Sequence, residues 1–101
     1  MTEYQLVAEP RADLDVAAAY QWFESERAGL GLRFLDQLGA TYDRIVVNPL
    51  RYRELESGIR RALLRRFPYA VYFAVEPDVV VVLAVLHVSR NPAVWQRRRR
   101  I

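Results

Sequence analysis

The chain has 101 residues, 52% of them apolar, enough for one domain with its own core and too few for two; a disordered chain is excluded. With no Cys, no Lys and a single His, His87, the composition excludes a disulfide framework, a thiol nucleophile, Cys-ligated zinc or iron–sulfur centres, a catalytic lysine and a His-rich metal site. All fifteen basic residues are Arg, against twelve Asp/Glu: residues 1–48 hold four Arg and eight acids, residues 49–101 eleven Arg and four acids, so the basic half favours an anionic partner, nucleic acid or an acidic protein segment.

Glu3–Ala8 carries Leu6 and Val7 and stops before Pro10, which predicts a first strand. Pro10 suits the first turn of a helix, and Asp13 and Asp15 follow near the positive end of its dipole. Ala12, Val16, Ala19, Tyr20 and Phe23 recur at helical spacing, so the helix runs from about residue 10 to Arg27, where Gly29 and Gly31 break it. A second helix starts near Leu32, with Leu35, Leu38, Tyr42 and Ile45 on one stripe, and stops at Asn48-Pro49. The two form an antiparallel helical hairpin.

Residues 50–58 are polar, end in Gly58 and read as a loop. Ile59–Phe67 reads as a strand with one wet side carrying Arg60, Arg61, Arg65 and Arg66. Tyr69–Val75 is a second strand, Glu76-Pro77-Asp78 a turn, and Val79–Leu86 a continuous apolar run of the kind found in central strands covered on both faces. That run is the longest apolar stretch and is far short of the roughly 20 residues of a membrane helix. No basic start leads into an apolar stretch, so no signal peptide is expected, and the expected location is the cytoplasm, away from membranes. Asn91 caps a short turn with Pro92, and the tail ends in Arg97–Arg100.

The order is β-α-α-β-β-β plus a short C-terminal tail. It predicts a single α+β domain over residues 1–101: an antiparallel sheet with the N-terminal helical hairpin packed on one face. Two helices cover only one face of that sheet. Val79–Leu86 offers apolar side chains to the other, so that face calls for a partner or for self-association as a homodimer.

The stretch from Ile59 through Arg65-Arg66-Phe67-Pro68-Tyr69 to Phe73 resembles the central hairpin of the ParE/RelE toxin superfamily. So does Val82–His87 with Arg90, Asn91-Pro92 and Trp95 behind it, and the upstream helix pair closing at Asn48-Pro49 is similar. The resemblance spans about residues 5–98. It implies the toxin of a bacterial type II toxin–antitoxin module, silenced by a protein antitoxin encoded beside it. Within the superfamily, RelE-like toxins cleave mRNA in the ribosomal A site, whereas ParE-like toxins inhibit DNA gyrase and carry no recognised hydrolytic site; fold likeness alone does not choose between them.

RelE-like cleavage draws its proton donors, acceptors and charge stabilisers from Lys, Arg and a late Tyr. This chain has no Lys, and its last tyrosine is Tyr72, inside a strand. A substitute set would be His87 as acid/base with Arg65, Arg66 and Arg90 as phosphate clamps; against it stands His87 as a histidine hydrogen-bonded at a strand end. Arg60, Arg61, Arg65 and Arg66 read either as a solvated edge, paired in part with the acidic first helix, or as a landing site for an acidic antitoxin segment or the target, with Arg90 and Trp95 beside them. Phe67, Tyr69, Tyr72 and Phe73 are expected in the core and on the sheet. Trp95 is expected to anchor the tail, and Arg97–Arg100 to fray. Asp13, Asp15, Glu24 and Glu26 are expected on a solvated helix face.

The resulting expectation is a ParE-like toxin, with no cofactor or metal, that binds DNA gyrase. The alternatives are a ribosome-dependent mRNA endonuclease and a non-toxic basic nucleic-acid-binding module. The lack of a helix presenting Arg, Asn and Gln on one face counts against sequence-specific DNA reading.

Overall fold

The structure is a computed structural model and describes residues 4–99; Glu3 and Arg100 of the expected first strand and tail lie outside them. The elements in chain order are β1 (Gln5–Ala8), α1 (Pro10–Glu26), α2 (Leu30–Val47), a 3-10 turn (Pro49–Arg51), β2 (Glu54–Glu56), β3 (Ile59–Leu63), β4 (Tyr69–Val75), β5 (Val79–His87) and α3 (Ala93–Gln96). The strands form one sheet in the order β1-β5-β4-β3-β2. The α+β class and the helical hairpin agree with the sequence reading.

Pro10 opens α1 with Asp13 in its first turn, as the helix dipole favours. Gly29, in the left-handed region at φ 86°, turns the chain into α2. Gly31 belongs to α2 instead of breaking it: a Cβ there would lie 2.7 Å from the Tyr20 ring and 2.9 Å from Glu24, so the missing side chain lets the helices approach at the elbow. Glu24 accepts the Gly29 and Gly31 N–H groups, each at 2.9 Å, and caps the start of α2 with negative charge. Glu24 is therefore not the solvated residue expected.

The sheet departs from the expectation in three places. First, β1 pairs with β5 in parallel, Leu6 beside Val80 and Ala8 beside Val82; both helices and strands β2 to β4 separate the two in the chain, far more than the crossover a parallel pair needs. Second, the stretch taken as a loop contains β2, joined to β3 by a two-residue turn at Ser57-Gly58, both at positive φ, the conformation that hairpin twist favours. Third, β3 ends at Leu63, so Arg65 and Arg66 lie in the connection to β4 and not on a strand.

The helices bury one core against the sheet, with Ala12, Ala19, Phe34, Leu38 and Ile45 meeting Val71, Phe73, Val80, Val82 and Val85. A second cluster on the opposite face joins Ile59, Ala70, Tyr72, Ala74, Leu83, Ala84 and Leu86 to Trp95. Trp95 of α3 is 7% exposed and stacks on Tyr72 with ring centroids 5.1 Å apart. The face expected to lie bare is thus partly closed by the chain's own tail, where α3 packs on it through Trp95. The tail is also tied down, by Arg98 to Asp15 at 3.0 Å, Arg99 to Glu76 at 3.3 Å and Gln96 to Glu56 at 3.1 Å. Arg98 and Arg99 do not fray as expected, and Asp15 is not a solvated helix residue.

Candidate functional site

The arginines read together from the sequence separate in space. Arg60, on the helix side of β3, donates to the Tyr52 carbonyl and approaches Glu54 at 3.8 Å; it pins the segment before β2. Arg61, one residue on, points to the other face and is exposed, as is Leu63. Alternation along a strand sends neighbours to opposite faces, so the pair Arg60-Arg61 cannot act as one patch.

Arg65 and Arg66 are both exposed. Arg66 sits at φ 70°, a left-handed conformation that a non-glycine residue adopts at a cost of about 1 kcal/mol. The turn around it is held by the Leu64 N–H on the Tyr69 carbonyl at 2.9 Å and the Tyr69 N–H on the Phe67 carbonyl at 2.8 Å. Arg66, Phe67 and Pro68 form one wall of a cavity of about 460 Å³, facing Phe23, Leu30 and Arg33 from the helical hairpin. Its aromatic lining residues, Phe23 and Phe67, pack 4.9 Å apart; beneath them Phe23 lies 5.3 Å from the buried Phe34, which lies 5.2 Å from Tyr69. Arg33 was not singled out from the sequence. Its position in the first turn of α2, off the apolar stripe, marks it as solvent-facing but says nothing about which loop it meets.

His87 ends β5 opposite Tyr69, with ring centroids 5.5 Å apart. The Ser89 N–H donates to His87 Nδ1 at 3.0 Å, and Ser89 Oγ lies 2.8 Å from the same nitrogen. With Nδ1 accepting, the neutral ring carries its proton on Nε2. A second cavity of about 280 Å³ is lined by His87, Arg90, Tyr69, Asp15 and Trp22, among others. Burial raises the Tyr69 pKa above its ordinary value; Arg90 opposes the rise and Asp15 adds to it. This cavity joins His87 to Arg90. Its lining includes neither Arg65 nor Arg66, so the four residues of the substitute nuclease set do not line one cavity.

Trp95 is internal, stacked on Tyr72. Tyr72 is 1% exposed. Among the described residues there is no group of three or more His, Cys, Asp or Glu side chains placed to hold a metal, and no helix long and apolar enough to cross a membrane.

The model of the family described as "ParE toxin of type II toxin-antitoxin system, parDE" matches residues 6–92, which takes in the helical hairpin, all of β2 to β5 and the Arg90–Pro92 turn. The chain belongs to the ParE toxin family. It is a ParE-type toxin of a type II toxin–antitoxin system, and membership implies an antitoxin partner. A solved structure described as "Chromosomal ParDE TA system from P. aeruginosa" superposes with a TM-score of 0.76 at 18% identity, covering 84% of this chain and 96% of that one, a likeness of fold. No curated protein matches the chain in sequence. For a ParE-type toxin, the exposed groups available to a partner include Arg61, Arg65, Arg66 and Arg90; Arg60 and Trp95 are engaged in holding the fold.

Proposed function

We propose that this ParE-type toxin arrests growth in the cytoplasm by binding DNA gyrase, without bond cleavage of its own, and that an antitoxin encoded in the adjacent reading frame neutralises it. The family match over residues 6–92 carries this reading. Two features of the chain support binding over chemistry. There is no Lys, and the last tyrosine, Tyr72, is buried beneath Trp95 and cannot reach a leaving oxygen. Arg61, Arg65, Arg66 and Arg90 are the arginines we assign to partner contact, because each is exposed.

One observation favours a second reading, RNA cleavage: His87, Arg90 and Tyr69 line one cavity, an arrangement of a titratable ring, a cation and a phenol. The two readings differ in a direct experiment. Induced without antitoxin, a gyrase-binding toxin stops DNA replication and filaments the cells while translation continues at first, whereas an endonuclease halts protein synthesis with mRNA cut at codons. A folded His87→Gln variant keeps its toxicity under the binding reading. Under the cleavage reading it loses about 10²–10⁴-fold in rate.

A further inference from the structure

The cavity between the helical elbow and the β3–β4 turn has two properties that suit binding. Its apolar lining is preformed: Phe23 and Phe67 pack edge to face at a centroid distance of 4.9 Å, and both also pack on the buried Phe34. Its rim carries two guanidiniums, Arg33 from α2 and Arg66 from the turn, both exposed, and neither makes an ion pair among the described residues. Asp36 is the one carboxylate among the described lining residues, so the rim keeps an excess of positive charge. The backbone adds an independent mark. Arg66 occupies a left-handed conformation at φ 70°, where Gly would be free of strain. Arginine at that point costs the fold something, and its side chain is what the turn gains by it.

Resting on the antitoxin reading above, we infer that this cavity is a docking pocket for an acidic segment of the antitoxin, taking one apolar side chain on the aromatic lining with a flanking Asp or Glu held by Arg33 and Arg66. The volume, about 460 Å³, falls in the range of about 300–1,000 Å³ typical of ligand pockets. Two guanidiniums on opposite walls suit carboxylates, which accept paired N–H donors. An extended or helical peptide that folds on binding presents an apolar anchor beside an acid without needing a prebuilt surface of its own. The cavity fits a single-stranded nucleic acid less well. The ring pairs Phe23–Phe67 and Phe34–Phe67 meet at 74° and 83°, so much of the flat aromatic surface is used in edge-to-face packing and is lost to base stacking, and Asp36 repels phosphate.

The test is calorimetric titration of the full-length toxin with the purified antitoxin of the adjacent frame. Wild type, Arg33→Gln, Arg66→Gly, the double variant and a charge-matched control at exposed Arg53, Arg53→Gln, are compared, with a thermal melt of each. The expected result is a loss of affinity of about 10- to 100-fold in the double variant, none in the control, and a melting temperature for Arg66→Gly equal to or above wild type. The Arg66→Gly variant keeps the test valid even if the double variant folds poorly, because glycine relieves the left-handed strain. Equal affinity of wild type and both Arg66 variants overturns the pocket while leaving the antitoxin reading intact. A wild-type toxin that does not bind the antitoxin overturns both. Binding of a 12-nucleotide single-stranded RNA that is lost on the same substitutions, with antitoxin affinity unchanged, assigns the cavity to nucleic acid and overturns the proposal.

Discussion

Asp15 and Arg98 stand 83 positions apart and meet beside the part of β5 that lies beyond β1, Arg98 Nη1 3.0 Å from Asp15 Oδ2. Each also bonds to the backbone of β5: Asp15 accepts the Val85 N–H at 3.0 Å, and Arg98 donates to the Leu83 carbonyl at 2.8 Å. The site lies next to a bulge and past the end of β1. Tyr72 of β4 faces Ala84 and Phe73 faces Val82, which leaves Leu83 with no partner there, and β1 has already ended beside Val82. The β5 backbone therefore reaches this point with groups that β1 no longer meets. The ion pair meets two of them in place of a strand, and in doing so ties α1, the sheet and the tail together. A free sheet edge invites pairing with another chain, and here side chains occupy it.

Removing one partner of this pair strands the other. Both side chains are largely buried, at 14% and 12% exposure, and an unpaired buried charge is costly. Asp15→Ala and Arg98→Ala are each expected to lower stability by about 2–4 kcal/mol, with the double variant losing far less than the sum. Chemical denaturation of the four proteins gives the coupling. In a Trp22→Phe background, where Trp95 is the remaining indole, Arg98→Ala should also shift fluorescence to the red as the tail lifts from Tyr72. Additive losses with unshifted emission would show that the tail is held by Trp95 alone.

Gly31→Ala should destabilise the protein, against the usual trend. In a helix interior alanine is ordinarily favoured over glycine by about 1 kcal/mol. Here a methyl group would meet the Tyr20 ring at 2.7 Å and the Glu24 carboxylate at 2.9 Å, and the carboxylate is the cap of α2. Overpacking of this kind costs about 1–3 kcal/mol. Gly39, with nothing within 4 Å of a built Cβ, is the matched control: Gly39→Ala should stabilise. The melting temperatures of the two variants should move in opposite directions.

Stability should fall at alkaline pH through Tyr42. Burial, with Asp13 and Asp15 adding to it, raises the Tyr42 pKa from 10.0 to about 12. The folded state thus keeps its phenol proton where the unfolded state has released it. The unfolded chain binds fewer protons in that interval, so unfolding becomes easier as pH rises from about 10 to about 12. The effect is worth about 1 kcal/mol once solvent screening of a part-exposed ring is allowed for. Tyr42→Phe should flatten this part of the curve when melts are compared at pH 9 and about pH 11.5. An unchanged slope would place the alkaline sensitivity elsewhere, with Tyr69, raised in the same direction, the next residue to substitute.

Local patterns in the chain were enough for the helical hairpin, the strands Tyr69–Val75 and Val79–Leu86, the interior place of the latter, and the family. Helical periodicity, Pro10, Gly29 and Asn48-Pro49 act over a few residues, and an apolar run of eight with five valines has few other uses than a covered strand. The partners that cross the whole chain were not legible. Nothing in Gln5–Ala8 states that it lies parallel to β5, because that pairing is decided by the path through both helices and strands β2 to β4. Nor does a run of terminal arginines state that Arg98 folds back 83 positions to Asp15, or that Trp95 packs on the second sheet face. Arg60 and Arg61 looked like one patch until strand alternation sent them to opposite faces, and Arg66 met Arg33 across a cavity only because the β3–β4 turn packs on the helical elbow. Short-range conformation is written in neighbouring residues, whereas pairing across the sheet, and the surfaces it builds, is settled by packing between segments that the sequence holds far apart.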